Sequence, residues 1–287
     1  MKTNLHLVCA GTPTPTRERF GSCLVLEVDE ERLMFDCGPA ATWKLTRFGL
    51  VPTDIDRLFF THHHSDHNSD YPCFLLTRWD HERGRIPPLR VYGPAPTVRI
   101  TERLIGPEGA FADDLRCRIE HPASQKAHQM RGGDIPRPGP RPKIREIASG
   151  DEIETRSCTV RCVDSIHLQP LMDCLAFRID WSEGSLVVTG DTGRSEEIER
   201  LAQGAGTMVV NVWDIQSAIP DEFRVGFCGT LDAAGMARAA SVGRLVVTHQ
   251  AANLCLPEVR TRALAEMAEV FGGEIIFSQE GQTLELS

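Results

Sequence analysis

Short runs of apolar residues, bounded by Gly, Pro or Asp, recur along both halves of the chain and predict β-strands. The predicted strands cover residues 5–9, 23–28, 32–35, 57–60, 89–92, 159–163, 175–179, 185–188, 208–212, 244–247 and 274–277. Apolar residues with helical spacing lie between some of them, at residues 40–48, 195–201, 231–240 and 258–271. Strands therefore dominate each half, and we expect helices to cover them in an α/β fold.

The middle of the chain has a different composition. Residues 106–142 are rich in Gly, Pro and polar side chains, which predicts an extended, irregular segment. This segment has two interpretations. It forms a lid or wall of a substrate site, or it is a surface loop without such a role. The 287 residues suffice for one large domain, so we expect a single domain, residues 1–287, with an irregular insertion around 106–142.

Charge and cysteine content narrow the function classes. A net charge of −9 argues against broad binding of nucleic acid, which needs a basic surface. Basic side chains do cluster locally, with Arg78, Arg83, Arg85 and Arg90 in one stretch, and would favour an anionic substrate if they reached a site. The ten cysteines are scattered without a C-x-x-C pair, as expected for free thiols in the cytoplasm. No apolar run has the roughly 20 residues that a membrane-spanning helix needs, so no membrane association is expected.

One predicted strand runs directly into a cluster of potential metal ligands. In an extended backbone alternate residues face the same way, so His62 and His64 point together while His63 points elsewhere. Asp66 and His67 follow on the next turn, close enough to serve a second metal ion. Imidazole and carboxylate groups suit zinc, iron or manganese.

The second half of the chain repeats this arrangement three times. His167, Asp191 and His249 each lie just beyond the end of a predicted strand. Open α/β sheets place ligand sites beyond the carboxyl ends of their strands. We therefore expect these side chains to join the histidine-rich segment in one metal cluster.

Together these motifs resemble the metallo-β-lactamase superfamily, in the style of its ribonuclease Z, cyclic-phosphate phosphodiesterase and arylsulfatase-like branch. The matching segments are residues 11–15, 21–23, 35–39, 61–67, 167, 190–192 and 248–249. The resemblance implies an αββα four-layer sandwich, in which two mixed β-sheets are flanked by helices. It also implies a hydrolase with two Zn²⁺ ions per chain, for which Mn²⁺ or Fe²⁺ are possible substitutes.

The resemblance also implies a division of the ligands. One metal ion would be held by His62, His64 and His167, the other by Asp66, His67 and His249, with Asp191 as the bridge. Asp66 is counted among the candidate catalytic residues as well. Asp36 would accept hydrogen bonds that fix the histidine-rich loop, unless it only forms a turn at a strand end.

The expected reaction is attack by a metal-activated hydroxide on a small-molecule ester-type bond, such as a phosphodiester or lactone. Ribonuclease Z-like enzymes are expected to take their proton donor from a His-Ser-Thr motif, but the matching residues here are Cys228-Gly229-Thr230. Cys228 is a cavity thiol, an extra metal contact or a small buried residue. Asp214 and His128 are the candidate substitutes for the missing acid.

The resemblance fails at a second point, which bears on the substrate. The tRNA-binding arm of ribonuclease Z lies between the third and fourth motifs, where residues 167–191 leave room for barely a hairpin. With the acidic balance, this favours a small molecule over tRNA as substrate. Aromatic side chains that could line its cavity are Tyr71, Phe74, Trp79 and Trp213.

Other functions remain open at this point. The same site could serve a hydrolytic dehalogenase or an amide hydrolase, since a fold does not fix the bond that is cleaved. An iron-dependent redox enzyme and a non-catalytic metal-binding accessory protein are further hypotheses. A homodimer is expected only because it is the commonest soluble assembly.

Overall fold

The structure is a computed structural model that describes residues 3–83 and 86–286. Within these residues the strands form two mixed sheets of seven strands each. Each sheet has an antiparallel and a parallel portion. The prediction of two mixed sheets flanked by helices is confirmed.

The first sheet is built from the ends of the chain and its first half. In spatial order it consists of β14 (Gln282–Leu286), β1 (Thr3–Ala10), β2 (Ser22–Val28), β3 (Glu31–Phe35), β4 (Arg57–Phe59), β5 (Arg90–Gly93) and β6 (Lys143–Glu146). Strands β3 to β6 are parallel, so their carboxyl ends lie at one edge of the sheet.

The second sheet comes from the rest of the chain. In spatial order it consists of β13 (Glu274–Phe277), β12 (Arg244–Thr248), β11 (Thr207–Asn211), β10 (Gly184–Val188), β9 (Leu175–Trp181), β8 (Thr159–Asp164) and β7 (Glu152–Glu154). Strands β10 to β13 are parallel, and β8 runs in the same direction because two antiparallel pairings separate it from β10.

Helices cover the outer faces of both sheets. They are α1 (Ala41–Arg47), α2 (Ser65–Asn68), α3 (Tyr71–Glu82), α4 (Thr97–Ile105), α5 (Ala112–Glu120), α6 (Pro122–Met130), α7 (Glu196–Leu201), α8 (Thr230–Ala239) and α9 (Pro257–Val270). Leu45 and Phe74 pack under the first sheet, and Ala233 and Met267 pack against the second. Among the described residues, no helix is both long and apolar enough to cross a membrane.

The two sheets meet in a central apolar core. Phe35 and Phe59 of the first sheet and Phe177 of the second form a cluster whose ring centroids lie 5.3–5.7 Å apart. All three side chains are fully buried. Burial of such a side chain stabilises the fold by about 1.5–3 kcal/mol. With helices outside and this core between the sheets, the layers follow the order αββα.

The prediction that residues 106–142 are irregular is wrong for residues 112–130, which form α5 and α6. The polar residues of α5 stabilise a solvated helix, since Asp114 accepts a hydrogen bond at 2.9 Å from Arg118 one turn later. Pro122, taken as a sign of irregular backbone, occupies the first turn of α6, where proline is tolerated. Residues 131–142 do lack helix and strand.

Candidate metal centre

The potential ligands lie at one edge shared by both sheets. His62 and His64 follow β4, and the next turn forms α2, which carries Asp66 and His67. The second sheet supplies three further ligands at the ends of parallel strands: His167 after β8, Asp191 after β10 and His249 after β12. The structure brings together at this edge all seven side chains that the sequence offered as candidate ligands.

The two sheets approach closely at this edge. Gly190 has φ = 60°, and a Cβ atom built on it would lie 2.7 Å from Cβ of Thr61, the residue before His62. A side chain at position 190 would therefore force the two ligand loops apart. Glycine is needed here both for its backbone conformation and for the close contact.

The seven side chains form two groups, in each of which the potential ligand atoms lie within 4.8 Å of one another. One group contains His62, His64, His167 and Asp191, and the other contains Asp66, His67 and His249.

Asp191 lies between the two groups, with one carboxylate oxygen toward each. Its Oδ2 is 3.9 Å from Nε2 of His62 and 3.7 Å from Nε2 of His167. Its Oδ1 is 3.5 Å from Nε2 of both His67 and His249. A carboxylate in this orientation can contact two cations at once.

The chemistry of the donor atoms fits a pair of divalent metal ions. Imidazole nitrogens face one another at 3.0 Å between His62 and His64 and at 3.3 Å between His67 and His249. Ring nitrogens and carboxylate oxygens converge, and no Lys or Arg side chain of the described residues is paired with them. This donor set suits zinc, manganese or iron.

Burial and neighbouring charge set the protonation of these groups. Burial, helped by the nearby His67, holds the pKa of His62 well below its usual value, which keeps this imidazole neutral. Burial alone would raise the pKa of Asp191, but His249 and His67 hold it well below its usual range. A neutral imidazole and an ionised carboxylate are the forms that bind metal.

Asp36 contacts the histidine-rich loop through both carboxylate oxygens. Its Oδ1 accepts a hydrogen bond at 2.8 Å from the backbone N–H of Thr61, and its Oδ2 lies 2.7 Å from Nδ1 of His67. Its backbone has φ = 61° at the end of β3. Asp36 therefore has both of the roles considered from the sequence. It forms the turn at the end of β3, and its carboxylate contacts the histidine-rich loop.

Sequence reasoning missed three groups that hold the ligands in place. Thr61 Oγ1 lies 3.0 Å from Nδ1 of His62. Asn211 donates from Nδ2 to Oδ1 of Asp191 at 2.8 Å, and the backbone oxygen of Gly226 lies 2.8 Å from Nδ1 of His167. Asn211 ends β11 at the same edge, so the strand-end rule could have identified it. A backbone oxygen leaves no signal in the sequence.

A cavity of about 380 Å³ opens beside the two groups. Its lining residues are Thr12, Pro13, Thr14, His64, Asp66, His167, Asp191, Thr192, Asn211, Trp213, Gly226, Phe227, Cys228 and His249. Its volume is in the range of small-molecule sites. Of the aromatic residues proposed from the sequence, Trp213 lines it.

The structure does not bring the two proposed acids to this cavity. The Asp214 carboxylate accepts a hydrogen bond at 2.9 Å from Asn253 and is not among the lining side chains. His128 lies on α6, buried against Gly133. Neither position supports the proton-donor role for which these residues were considered.

Cys228 does line the cavity, where it is almost fully buried. It is absent from both groups of potential ligands. Its Sγ lies 3.4 Å from the backbone oxygen of Gly229, and burial raises the pKa of the thiol well above its usual value. The side chain is therefore a protonated cavity thiol at neutral pH.

The other proposed substrate contacts also lie elsewhere. Tyr71 and Phe74 belong to the core under the first sheet, and the ring of Trp79 is covered by the guanidinium of Arg137 at 3.7 Å. The basic residues Arg78, Arg83 and Arg90 do not line the metal-side cavity, and Arg85 lies outside the described residues. None of residues 106–142 lines it either, which leaves the lid hypothesis without support.

The chain is similar to known proteins in sequence and in fold. A family model described as the metallo-beta-lactamase superfamily matches residues 16–249. Ribonuclease Z of Mycobacterium avium (strain 104) is 30% identical over 277 residues, covering 94% of this chain and 93% of the relative.

Solved structures show the same fold. The metallo-beta-lactamase fold protein YhfI from Bacillus subtilis superimposes with a TM-score of 0.77 at 19% identity, covering 99% of this chain and 100% of its own. Human tRNase Z, short form, superimposes with a TM-score of 0.69 at 15% identity, covering 99% of each chain. Because these proteins are named as ribonucleases, the comparisons do not support our expectation that a small molecule is favoured over tRNA as substrate.

Proposed function

We propose that this chain, which belongs to the metallo-β-lactamase superfamily, is a hydrolase that cleaves phosphodiester bonds with two zinc ions. The observation that carries the proposal is the position of Asp191, whose two carboxylate oxygens face different groups of imidazoles. Two cations a few ångströms apart are the arrangement that phosphodiester displacement uses.

The candidate ligands would be divided between the two ions. His62, His64 and His167 would hold one ion, Asp66, His67 and His249 the other, and Asp191 both. When bound, such a pair lowers the pKa of a water molecule toward neutrality and polarises the ester under attack.

Two residues outside the ligand set orient it. Asn211 fixes the rotation of the Asp191 carboxylate through its hydrogen bond to Oδ1. Asp36 fixes the ring of His67 through Nδ1, so that Nε2 faces the centre. Partners of this kind govern metal affinity as well as geometry.

The choice of bond rests on the relatives rather than on the fold alone. Ribonuclease Z of M. avium, whose name specifies RNA cleavage, aligns along nearly the whole of this chain. A shared fold by itself would leave lactones, amides and halogenated aromatics equally open. We therefore place phosphodiesters first.

The test is a metal-reconstituted activity screen. The purified chain is stripped with a chelator, reloaded with Zn²⁺ or Mn²⁺ and assayed on bis(4-nitrophenyl) phosphate, a 2′,3′-cyclic nucleotide, a precursor tRNA, a lactone, an amide and a halogenated aromatic. We expect hydrolysis of a phosphodiester that depends on added metal, that Asp191→Asn abolishes, and that the exposed control Asp173→Asn retains.

Two results would contradict the proposal. Turnover only of a lactone, an amide or a halogenated aromatic would assign a different bond to the same centre. No turnover of any substrate, with two metal equivalents bound, would identify a metal-binding protein without hydrolytic activity.

A further inference from the structure

One wall of the cavity is aromatic. The ring of Phe227 lies 5.2 Å from the ring of His167 and 4.9 Å from that of Trp213, measured between centroids. Phe223 continues this surface outward, 6.0 Å from Phe227, and its side chain is 45% exposed. The ring planes are inclined to one another by 78° at His167–Phe227, 42° at Trp213–Phe227 and 78° at Phe223–Phe227, so a series of tilted and edge-to-face rings leads from a metal ligand to solvent.

Among the described residues, the same cavity offers no side-chain cation to a substrate. No Lys or Arg is among its lining residues within the part of the chain that the structure describes. Its ionised carboxylates, Asp66 and Asp191, belong to the ligand groups. Sites that recognise phosphate or carboxylate groups commonly use arginine or lysine. The part of a substrate that fills this cavity, away from the cleaved bond, is therefore expected to be uncharged.

Outside the ligand groups, no described side chain of the cavity is suited to protonate a leaving group. Apart from the two ligand groups, Cys228 is the titratable side chain among the described lining residues. Burial raises the pKa of this thiol, which makes it a weak acid. The hydroxyl of Thr192 lies 2.8 Å from the backbone oxygen of Gly193, to which it donates. Without a proton from these side chains, a leaving group here is expected to depart as an anion.

From these three observations we propose that the substrate carries an uncharged aromatic leaving group, which packs against the rings of Trp213 and Phe227 and departs as an aryloxide-type anion without a protein proton donor. The inference rests on the proposed hydrolytic function and specifies its substrate class. Among common uncharged groups, an aryl group meets both requirements. Its oxygen leaves readily as an anion, and its ring is apolar and can contact the aromatic wall of the cavity.

The step balances without another reactant. The oxygen of water forms a bond to phosphorus, and the bond from phosphorus to the aryl oxygen breaks. The aryloxide takes the electron pair of that bond, and the proton lost by the water passes to solvent. No oxidation or reduction occurs.

The first experiment measures dependence on the leaving group in the metal-loaded enzyme. Methyl aryl phosphodiesters with phenols of graded acidity are compared with a dialkyl phosphodiester. We expect kcat/KM to fall steeply as the phenol becomes less acidic. The dialkyl ester should be about 100- to 10,000-fold slower, because a general acid supplies a factor of that order.

The second experiment measures binding without metal or turnover. Titration calorimetry of the metal-free chain with phenol, which is uncharged at neutral pH, is compared with cyclohexanol, a non-aromatic alcohol of similar size. We expect the phenol to bind more tightly, and Trp213→Ala to weaken its binding about 2- to 10-fold, as expected for the loss of one aromatic contact. Trp213→Phe should retain most of the binding.

Trp43→Ala is the matched control, since Trp43 is 61% exposed on α1 and does not line the cavity. It should bind the phenol as the wild type does, and circular dichroism checks that each variant is folded.

The two proposals fail in different ways. If no phosphodiester is hydrolysed while the phenol still binds at Trp213, the proposed function fails and the aromatic subsite stands. If phosphodiesters are hydrolysed at rates independent of the leaving group, and Trp213→Ala binds the phenol like the wild type, the inference on substrate class is overturned and the hydrolase remains.

Discussion

Asp36 and His67 form a contact of 2.7 Å between Oδ2 and Nδ1, while the other nitrogen of the same ring, Nε2, faces Asp191. Both side chains are almost fully buried. Burial alone would lower the pKa of His67, but the carboxylates of Asp36 and Asp191 raise it well above its usual value. The ring therefore donates its Nδ1 proton to Asp36, and its orientation is fixed before any metal ion binds.

Substitution of Asp36 should weaken metal binding without removing a ligand. We expect Asp36→Ala to lower the affinity for zinc about 10- to 100-fold, as is typical for loss of a group that orients a ligand. Competition with a chromogenic chelator measures this change. The surface variant Asp173→Ala serves as control, and an unchanged affinity in Asp36→Ala would show that the contact is only structural.

Substitution of Asp191 should change the number of ions bound. Because its two oxygens face different ligand groups, we expect Asp191→Ala to hold fewer than two equivalents of zinc after dialysis. Mass spectrometry of the metal content measures the stoichiometry. Retention of two equivalents would rule out the bridging position.

Glu280 should stabilise the loop that carries Thr12 and Thr14 into the cavity. Its Oε2 lies 2.7 Å from Nζ of Lys44, and its Oε1 accepts a hydrogen bond at 2.8 Å from the backbone N–H of Phe20. Both charged side chains are nearly buried, with exposures of 9% and 10%. We expect Glu280→Gln to lower the free energy of unfolding by about 3 kcal/mol, because it leaves the lysine charge unpaired.

Urea unfolding measures this loss, and a double variant provides the control. Lys44→Met combined with Glu280→Gln removes both charges and should recover part of the stability. A double variant no more stable than the single one would place the loss in the hydrogen bonds of Glu280 rather than in the ion pair.

Asp80 should make stability depend on pH in the acid range. Burial alone would raise its pKa, but Arg131 and Arg137, at 2.7 and 2.9 Å, lower it to about 2. The folded pKa lies below the unfolded value of about 3.9, so the contribution is present above pH 4 and is lost as pH falls toward 2.

We therefore expect Asp80→Asn to lower the free energy of unfolding by about 1–2 kcal/mol at pH 7, allowing for solvent screening of Arg131. The difference from the wild type should shrink between about pH 4 and pH 2. Urea unfolding at several pH values checks this, with Asp113→Asn as control because the Asp113 side chain is 92% exposed. A difference that does not vary with pH would contradict the assignment.

The strands that carry the ligands, and the cluster itself, were predictable because the information is local. Each ligand follows an apolar run directly, as His249 follows β12, and parallel strands bring such positions to one edge. Helices α2 to α6 and strands β6, β7 and β14 were not predicted. For α5 and α6 the reason is that their polar surfaces resemble loop composition. The prediction relied on residue composition, whereas helix formation in these segments depends on capping and on pairs of side chains at positions i and i+4.

The rest of the site depends on contacts between distant segments. His128 was considered for its residue type alone, and the fold places it on α6 rather than at the cavity. Phe227 was not considered, although it contacts His167, because it lies in a segment without regular spacing. Side chains on irregular segments are positioned by packing, which local sequence patterns do not record.

Both ligand groups draw on both sheets, and this sets a minimum length for the site. The four side chains of one group are contained in no stretch shorter than residues 62–191, and the three of the other in none shorter than residues 66–249. During synthesis, all members of the first group would therefore leave the ribosome before His249, the last member of the second group. Neither half of this chain, made alone, contains all the ligands of either ion.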